Sequence, residues 1–96
     1  MPTYVVLINW TEQGVQGASE TVNRYEAAQE QFSAEGVTFR DTYWTLGEHD
    51  IVGILDAPDD ETIAAALLRL AGQGNLRTRT MRAFTADEMR RVAERV

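Results

Sequence analysis

Apolar positions along the chain fall into four short dense runs, separated by stretches in which they recur at helical spacing. Thr3 to Ile8 is rich in Tyr, Val, Leu and Ile and predicts a strand, and its almost unbroken apolar character suggests cover on both faces. Trp10-Thr11-Glu12-Gln13-Gly14 predicts a turn, with Gly14 and Gly17 interrupting any early helix. Ser19 then has the chemistry of an N-cap, because its hydroxyl can accept from the free N–H groups of a first turn. Val22, Tyr25, Gln29 and Phe32, with Ala18 and Ala28 beside them, make one buried stripe on the helix that follows. Gly36 ends it as a left-handed cap.

Val37 to Leu46 predicts a second strand. Simple alternation puts Val37, Phe39, Asp41 and Tyr43 on one face and Thr38, Arg40, Thr42, Trp44 and Leu46 on the other. Gly47-Glu48-His49-Asp50 is a hairpin turn, Asp50 to Ala57 a third strand, and Pro58 its stop. Asp59, Asp60 and Glu61 open a helix, where acids suit the positive end of the dipole. Ile63, Leu67, Leu70 and Ala71 are its buried stripe, and Gly72-Gln73-Gly74-Asn75 ends it. Leu76 to Phe84 is a fourth strand. Thr85-Ala86-Asp87-Glu88 fits a capping box for a last helix with Met89, Val92 and Val96 along one side.

The predicted order, β-α-β-β-α-β-α, is that of an α+β ferredoxin-like fold: a βαββαβ antiparallel sheet with helices on one face and an added C-terminal helix, in a single domain spanning residues 1–96. Strands 1 and 3 are apolar on both sides, so the second sheet face needs a cover. A partner sheet supplies one, and two such sheets face to face form a dimeric α+β barrel. A homodimer is therefore expected, with further assembly through strand edges left open.

Composition narrows the chemistry. The chain lacks Cys and Lys, which excludes disulfides, thiolate metal sites, a Cys nucleophile, side-chain Schiff bases and a P-loop lysine. No apolar run approaches the length of a membrane span, and no basic-then-apolar leader opens the sequence, so no membrane partner and a cytoplasmic location are expected. The net charge of −6 argues against nucleic acid. That charge is uneven: all but two of the nine Arg lie from Arg69 onward, with only three of the fifteen acids. The RNA-recognition module shares the strand order but stacks bases on third-strand aromatics, which Asp50 to Ala57 lacks.

Four groups of residues are candidates for function. His49 is the only histidine and the side chain best suited to proton transfer at neutral pH, although its place in a glycine turn also accounts for it. Asp56, Asp59, Asp60 and Glu61 lack the spacing of a calcium loop and are explained by helix capping, so no metal and no cofactor is expected. Arg77 and Arg79 share a strand face with Met81, while Arg82 lies opposite with Leu76, Thr78, Thr80 and Phe84. Those two guanidiniums could hold an anion bidentately, with Asn9 nearby, or pair with Asp41 in a structural network. Trp10, Tyr43 and Trp44 could line a small apolar pocket or simply pack.

Gly47-Glu48-His49-Asp50, Leu7 to Gly14, Tyr43-Trp44-Thr45-Leu46 and the block from Gly47 to Glu88 closely resemble the GYD family of small bacterial proteins, and the resemblance covers nearly the whole chain. His49 stands where that family has Tyr in Gly-x-Tyr-Asp. The resemblance implies a dimeric α+β barrel and no assigned reaction. Two functions follow as expectations. One is a small dimeric protein that binds a small organic molecule, an anionic one included. The alternative is a cofactor-independent monooxygenase or isomerase of the dimeric α+β barrel type with His49 as acid/base, Tyr43 assisting and Arg77 or Arg79 holding an anionic group.

Overall fold

The computed structural model describes all residues from Met1 to Val96. Strand β1 runs over Thr3–Trp10, a short helix α1 over Glu12–Gln16, a 3₁₀ turn over Ala18–Glu20 and helix α2 over Thr21–Ala34. Strands β2 (Thr38–Trp44) and β3 (Ile51–Asp56), helix α3 (Asp60–Gly72), strand β4 (Leu76–Ala83) and helix α4 (Ala86–Ala93) complete it. The four strands form one sheet in the order β2-β3-β1-β4, with every neighbouring pair antiparallel. This is the ferredoxin-like α+β architecture expected from the strand order.

The register divides the sheet cleanly. Tyr4, Val6 and Ile8 of β1 and Ile51 and Leu55 of β3 point toward the helices and join Phe32, Val37, Ile63, Ala66 and Leu67 in the core. Leu55, Val6 and Val37 are its largest fully enclosed side chains. Truncating Leu55 to Ala in such a setting costs ~2–5 kcal/mol. Val5, Leu7, Val52 and Ile54 point the other way and stay half-buried, because no element of the chain covers that face. Met81 and Tyr43 on the same face are exposed.

Strand β2 departs from simple alternation. Phe39 pairs with Leu55, but the next pairing is Asp41 with Ile54, so Arg40 is the extra residue of a β-bulge. Phe39, Thr42 and Trp44 therefore share the helix side, and Thr38, Asp41 and Tyr43 the open side. Phe39 stacks on Phe32 and meets Tyr25 edge-on, and Tyr25 meets Trp44 edge-on at 5.4 Å. The Arg40 side chain reaches Asp56 at 3.4 Å. Alternation fails because a bulge is a local backbone choice that leaves the residue types unchanged.

The N-terminal helical region also differs from expectation. An early helix does form: Thr11 caps α1 by accepting from the Gly14 N–H at 3.0 Å, and donates to the Gly74 carbonyl. Gly14 serves close approach here rather than helix breaking, since a Cβ would stand 2.0 Å from the Asn75 carbonyl oxygen. Ser19 lies inside the 3₁₀ turn and caps nothing; α2 starts after Glu20 with no side-chain cap. Its stripe is correspondingly shorter, with Ala28 and Phe32 buried and Val22 exposed.

The remaining ends follow their chemistry. Gly36 and Gly47 take positive φ, +81° and +108°. Asp59 caps α3 by accepting from the Thr62 N–H at 2.8 Å, and the Thr62 side chain together with that N–H holds its carboxyl below the usual range. Thr85 and Glu88 form the reciprocal capping box of α4. The predicted stripe of α4 is cut short, because the helix ends at Ala93 before Val96, and none of its residues is buried. No helix is long and apolar enough to cross a membrane.

Candidate functional site

The candidate residues separate into two places on opposite sides of the sheet. The first is the open-face end of β1. Asn9 donates through Nδ2 to the Glu48 carbonyl at 2.6 Å, which turns its Oδ1 toward His49 Nδ1, 3.0 Å away. His49 Nδ1 therefore carries the proton as donor, and Nε2 is the free acceptor in the neutral ring. Thr45 donates to the His49 carbonyl, and Asp50 accepts from the Trp10 N–H at 2.9 Å. The turn is thus anchored to the end of β1 through Asn9 and Asp50.

Arg77 lies opposite Asn9 in the β1–β4 pairing, so Asn9, His49 and Arg77 gather at one end of the open face. Arg79 is one row further along, opposite Leu7. Both Arg side chains are exposed. The expected internal pairing with Asp41 does not form. Asp41 shares their face but sits on β2, at the far edge of the sheet. The ion pairs of the chain are instead Arg40–Asp56, Arg69–Glu35 and Arg90–Asp87.

The second place is a cavity of about 50 Å³ between the sheet and α2 and α3. That is several times the space one water needs. Trp10 and Trp44 both belong to its wall, with Tyr25, Phe39, Ile51 and Leu70. Tyr43 is not part of it, because the bulge sends it to the open face; the three aromatics expected to act together are split. Gly53, on the helix side between Ile51 and Leu55, leaves the sheet floor of the cavity without a side chain.

Polar chemistry in this cavity is sparse. Trp10 Nε1 and Thr42 Oγ1 are buried in its wall and have no hydrogen-bond partner in the chain. Trp44 Nε1 is satisfied by Thr21 Oγ1 at 2.9 Å. Arg24 is the only charged residue of the lining. Its Nη2 donates to the carbonyls of Gly14 and Gly17, and no carboxylate pairs with it. In a chain with fifteen acids, a cavity wall with one cation and no acid is a distinct electrostatic environment. Arg24, Thr42 and Gly53 were not singled out in the sequence. The available signal was Arg24 itself, the one basic residue before Arg40.

A four-stranded antiparallel sheet in this order, one bare face and a turn built on Gly47 and Asp50 define a small ferredoxin-like α+β protein. The chain belongs to the GYD domain family, which it matches over residues 4–93. It is 30% identical over 90 residues to the glutamine synthetase and cystathionine beta-lyase binding protein of Thermus thermophilus, covering 93% of this chain and 95% of that protein. The crystal structure of TTHA0845 from Thermus thermophilus has the same fold, with a TM-score of 0.58 and 24% identity, over 90% of this chain and 96% of that one.

Proposed function

We propose that this protein is a homodimeric accessory protein that binds a small organic anion with an apolar body and carries out no reaction on it. One observation carries this reading: two unpartnered polar atoms, Trp10 Nε1 and Thr42 Oγ1, share an apolar cavity with the unpaired Arg24. An unmade buried hydrogen bond costs ~1–3 kcal/mol, so a ligand acceptor within reach of both groups relieves a cost already built into the fold. Arg24 adds a charge-assisted donor at the same site. The apolar walls favour a small apolar body, and at about 50 Å³ the cavity takes an aromatic ring only if its side chains move aside.

Both tryptophans of the chain line the cavity, so intrinsic fluorescence reports its occupation. Titration with benzoate, benzamide and benzylamine compares one ring with three head groups. Saturable quenching strongest for benzoate, with the preference over benzamide lost in Arg24→Gln, is the expected result. Equal response to all three, or a preference unchanged in Arg24→Gln, would sink the reading.

The dimer is proposed to form through the open sheet face, where Val5, Leu7, Val52, Ile54 and the exposed Met81 and Tyr43 form one apolar surface. Light scattering at micromolar concentration should return twice the chain mass. A monomer mass would refute it.

A second reading is favoured by the name of the Thermus relative, which describes binding to two enzymes. On that reading this chain docks on an enzyme, and co-sedimentation with purified glutamine synthetase or cystathionine beta-lyase tests it. The acid/base alternative rests on His49, whose Nε2 is left free by the Nδ1 contact with Asn9, at the same end of the open face as Arg77. It requires turnover of a quinone-like or lactone substrate that His49→Ala abolishes while the fold is kept.

A further inference from the structure

Gly53 is a glycine without a backbone reason. Its φ lies outside the left-handed region that Gly36, Gly47 and Gly74 occupy. Beyond its chain neighbours, a Cβ at Gly53 would meet one atom within 4 Å, Leu55 Cδ1 at 2.9 Å, and no backbone. Glycine inside a strand weakens it, and such a position often marks the close approach of a ligand or of another backbone. No backbone approaches here, and the space above Gly53 is the floor of the aromatic cavity. Thr42 is its cross-strand partner on β2, so the unpartnered Thr42 hydroxyl stands beside that bare floor.

Arg24 serves the other end. It reaches from α2 to the Gly14 and Gly17 carbonyls, and Gly14 abuts Asn75, next to Leu76 at the start of β4. Leu76 pairs with Trp10 at the end of β1, whereas Gly53 pairs with Val6 in the middle of that strand. Only Nη2 of Arg24 is used on the two carbonyls, so the guanidinium keeps donors for a carboxylate. The Thr42 hydroxyl both donates and accepts, and suits a hydroxyl or a carbonyl oxygen. At about 50 Å³ the cavity is smaller than the ~150 Å³ in which an apolar protein cavity takes up benzene. A short unbranched chain suits it better than a ring.

We propose that the ligand of this cavity is a short aliphatic acid with a second oxygen at the end remote from its carboxylate, an ω-hydroxy or ω-oxo acid. Its carboxylate meets Arg24, and its second oxygen meets Thr42 over Gly53. This rests on the reading of the cavity as an anion site and adds the second oxygen and the length of the chain.

Tryptophan fluorescence titrations with 3-hydroxypropionate, butyrate and 2-hydroxypropionate test it. Butyrate replaces the terminal hydroxyl by a methyl group, and 2-hydroxypropionate moves the hydroxyl next to the carboxylate. 3-Hydroxypropionate should bind roughly tenfold more tightly than either, the effect of one hydrogen bond to a buried group. Thr42→Val should cancel its advantage over butyrate. Gly53→Ala should weaken 3-hydroxypropionate more than acetate, because the added methyl group takes up the inner end. Equal binding of 3-hydroxypropionate and butyrate, an advantage that survives Thr42→Val, or a Gly53→Ala variant with unchanged affinities overturns the proposal. If Gly53→Ala does not fold, the Thr42→Val comparison decides alone. Arg24→Gln separates the two readings. Acids that bind only with Arg24 present, but without a hydroxyl preference, leave the anion site standing and remove the second oxygen; no Arg24-dependent binding of any acid removes both.

Discussion

Tyr43 and Arg79 stand at the two ends of a single row of side chains across the open sheet face, with Val52 and Leu7 between them. Three inter-strand spacings separate them, ~14 Å, so they do not meet within one chain. A second copy related by a twofold axis along the strands lays the β2 edge, with Tyr43 and Asp41, over the β4 edge, with Arg79 and Met81. A twofold across the strands would instead set Arg over Arg. Charge favours the first arrangement. Arg79→Asp and Asp41→Arg should each weaken the proposed dimer roughly tenfold, or ~1.4 kcal/mol, and the two together should restore it. Sedimentation equilibrium of the three variants decides it; a double variant no better than the singles would point to another surface.

Gly47 has φ +108°, and a Cβ there would meet nothing within 4 Å. Its requirement is conformational, not steric. Gly47→Val should lower stability by ~1–3 kcal/mol, Gly47→Asn by less, because Asn tolerates the left-handed region. His49→Ala, which removes the Nδ1 bond to Asn9, should cost less than Gly47→Val. Melting temperatures check the ranking, and equal values for Gly47→Val and His49→Ala would contradict it.

Tyr4 donates to Asp60 Oδ1 at the start of α3. Burial of the phenol, then its bond to Asp60 and the nearby carboxylate charge, push its pKa up to about 12 from the ordinary 10.0. A raised folded-state value means the contribution is whole below pH 10.0 and fades as the pH climbs through about 12. The melting temperature should therefore fall between those limits. Tyr4→Phe should start lower and show a shallower fall over the same range. Parallel curves for the two proteins would rule out this linkage.

A methyl group at Gly14 would stand 2.0 Å from the Asn75 carbonyl oxygen, which also accepts from the Thr11 N–H. Both sides of that clash are backbone, so neither can move cheaply. Gly14→Ala should lower stability by ~1–3 kcal/mol and loosen α1 from the loop before β4. Chemical denaturation measures the first; faster amide exchange at residues 12–16 reports the second. An unchanged midpoint would show that α1 does not depend on this approach.

Much of the fold was legible in the sequence, and the reasons are local. Dense apolar runs marked the strands, and period two alone divided the residues of β4, with Arg77 and Arg79 on one side and Arg82 on the other. Asp59, Thr85, Gly36 and Gly47 announced helix and turn boundaries through their own side-chain or backbone chemistry. The existence of strand β2 was legible but its faces were not, since nothing in its residue types marks Arg40 as surplus. Gly14 misled because close approach and helix breaking use the same residue. The cavity was legible only in part: Trp10 and Trp44 were recognised, whereas Arg24, Thr42 and Gly53 come together only after α2, β2 and β3 have packed.

The bulge at Arg40 makes strand β2 an indexing device. Its downstream half sends Thr42 and Trp44 inward to the aromatic cavity and Asp41 and Tyr43 outward to the open sheet face. Loss of a single codon there would either exchange the two sets or carry Phe39 out of the core. The wall of the cavity and the make-up of the open face are thus set by one frame, and neither can drift by insertion or deletion without disturbing the other.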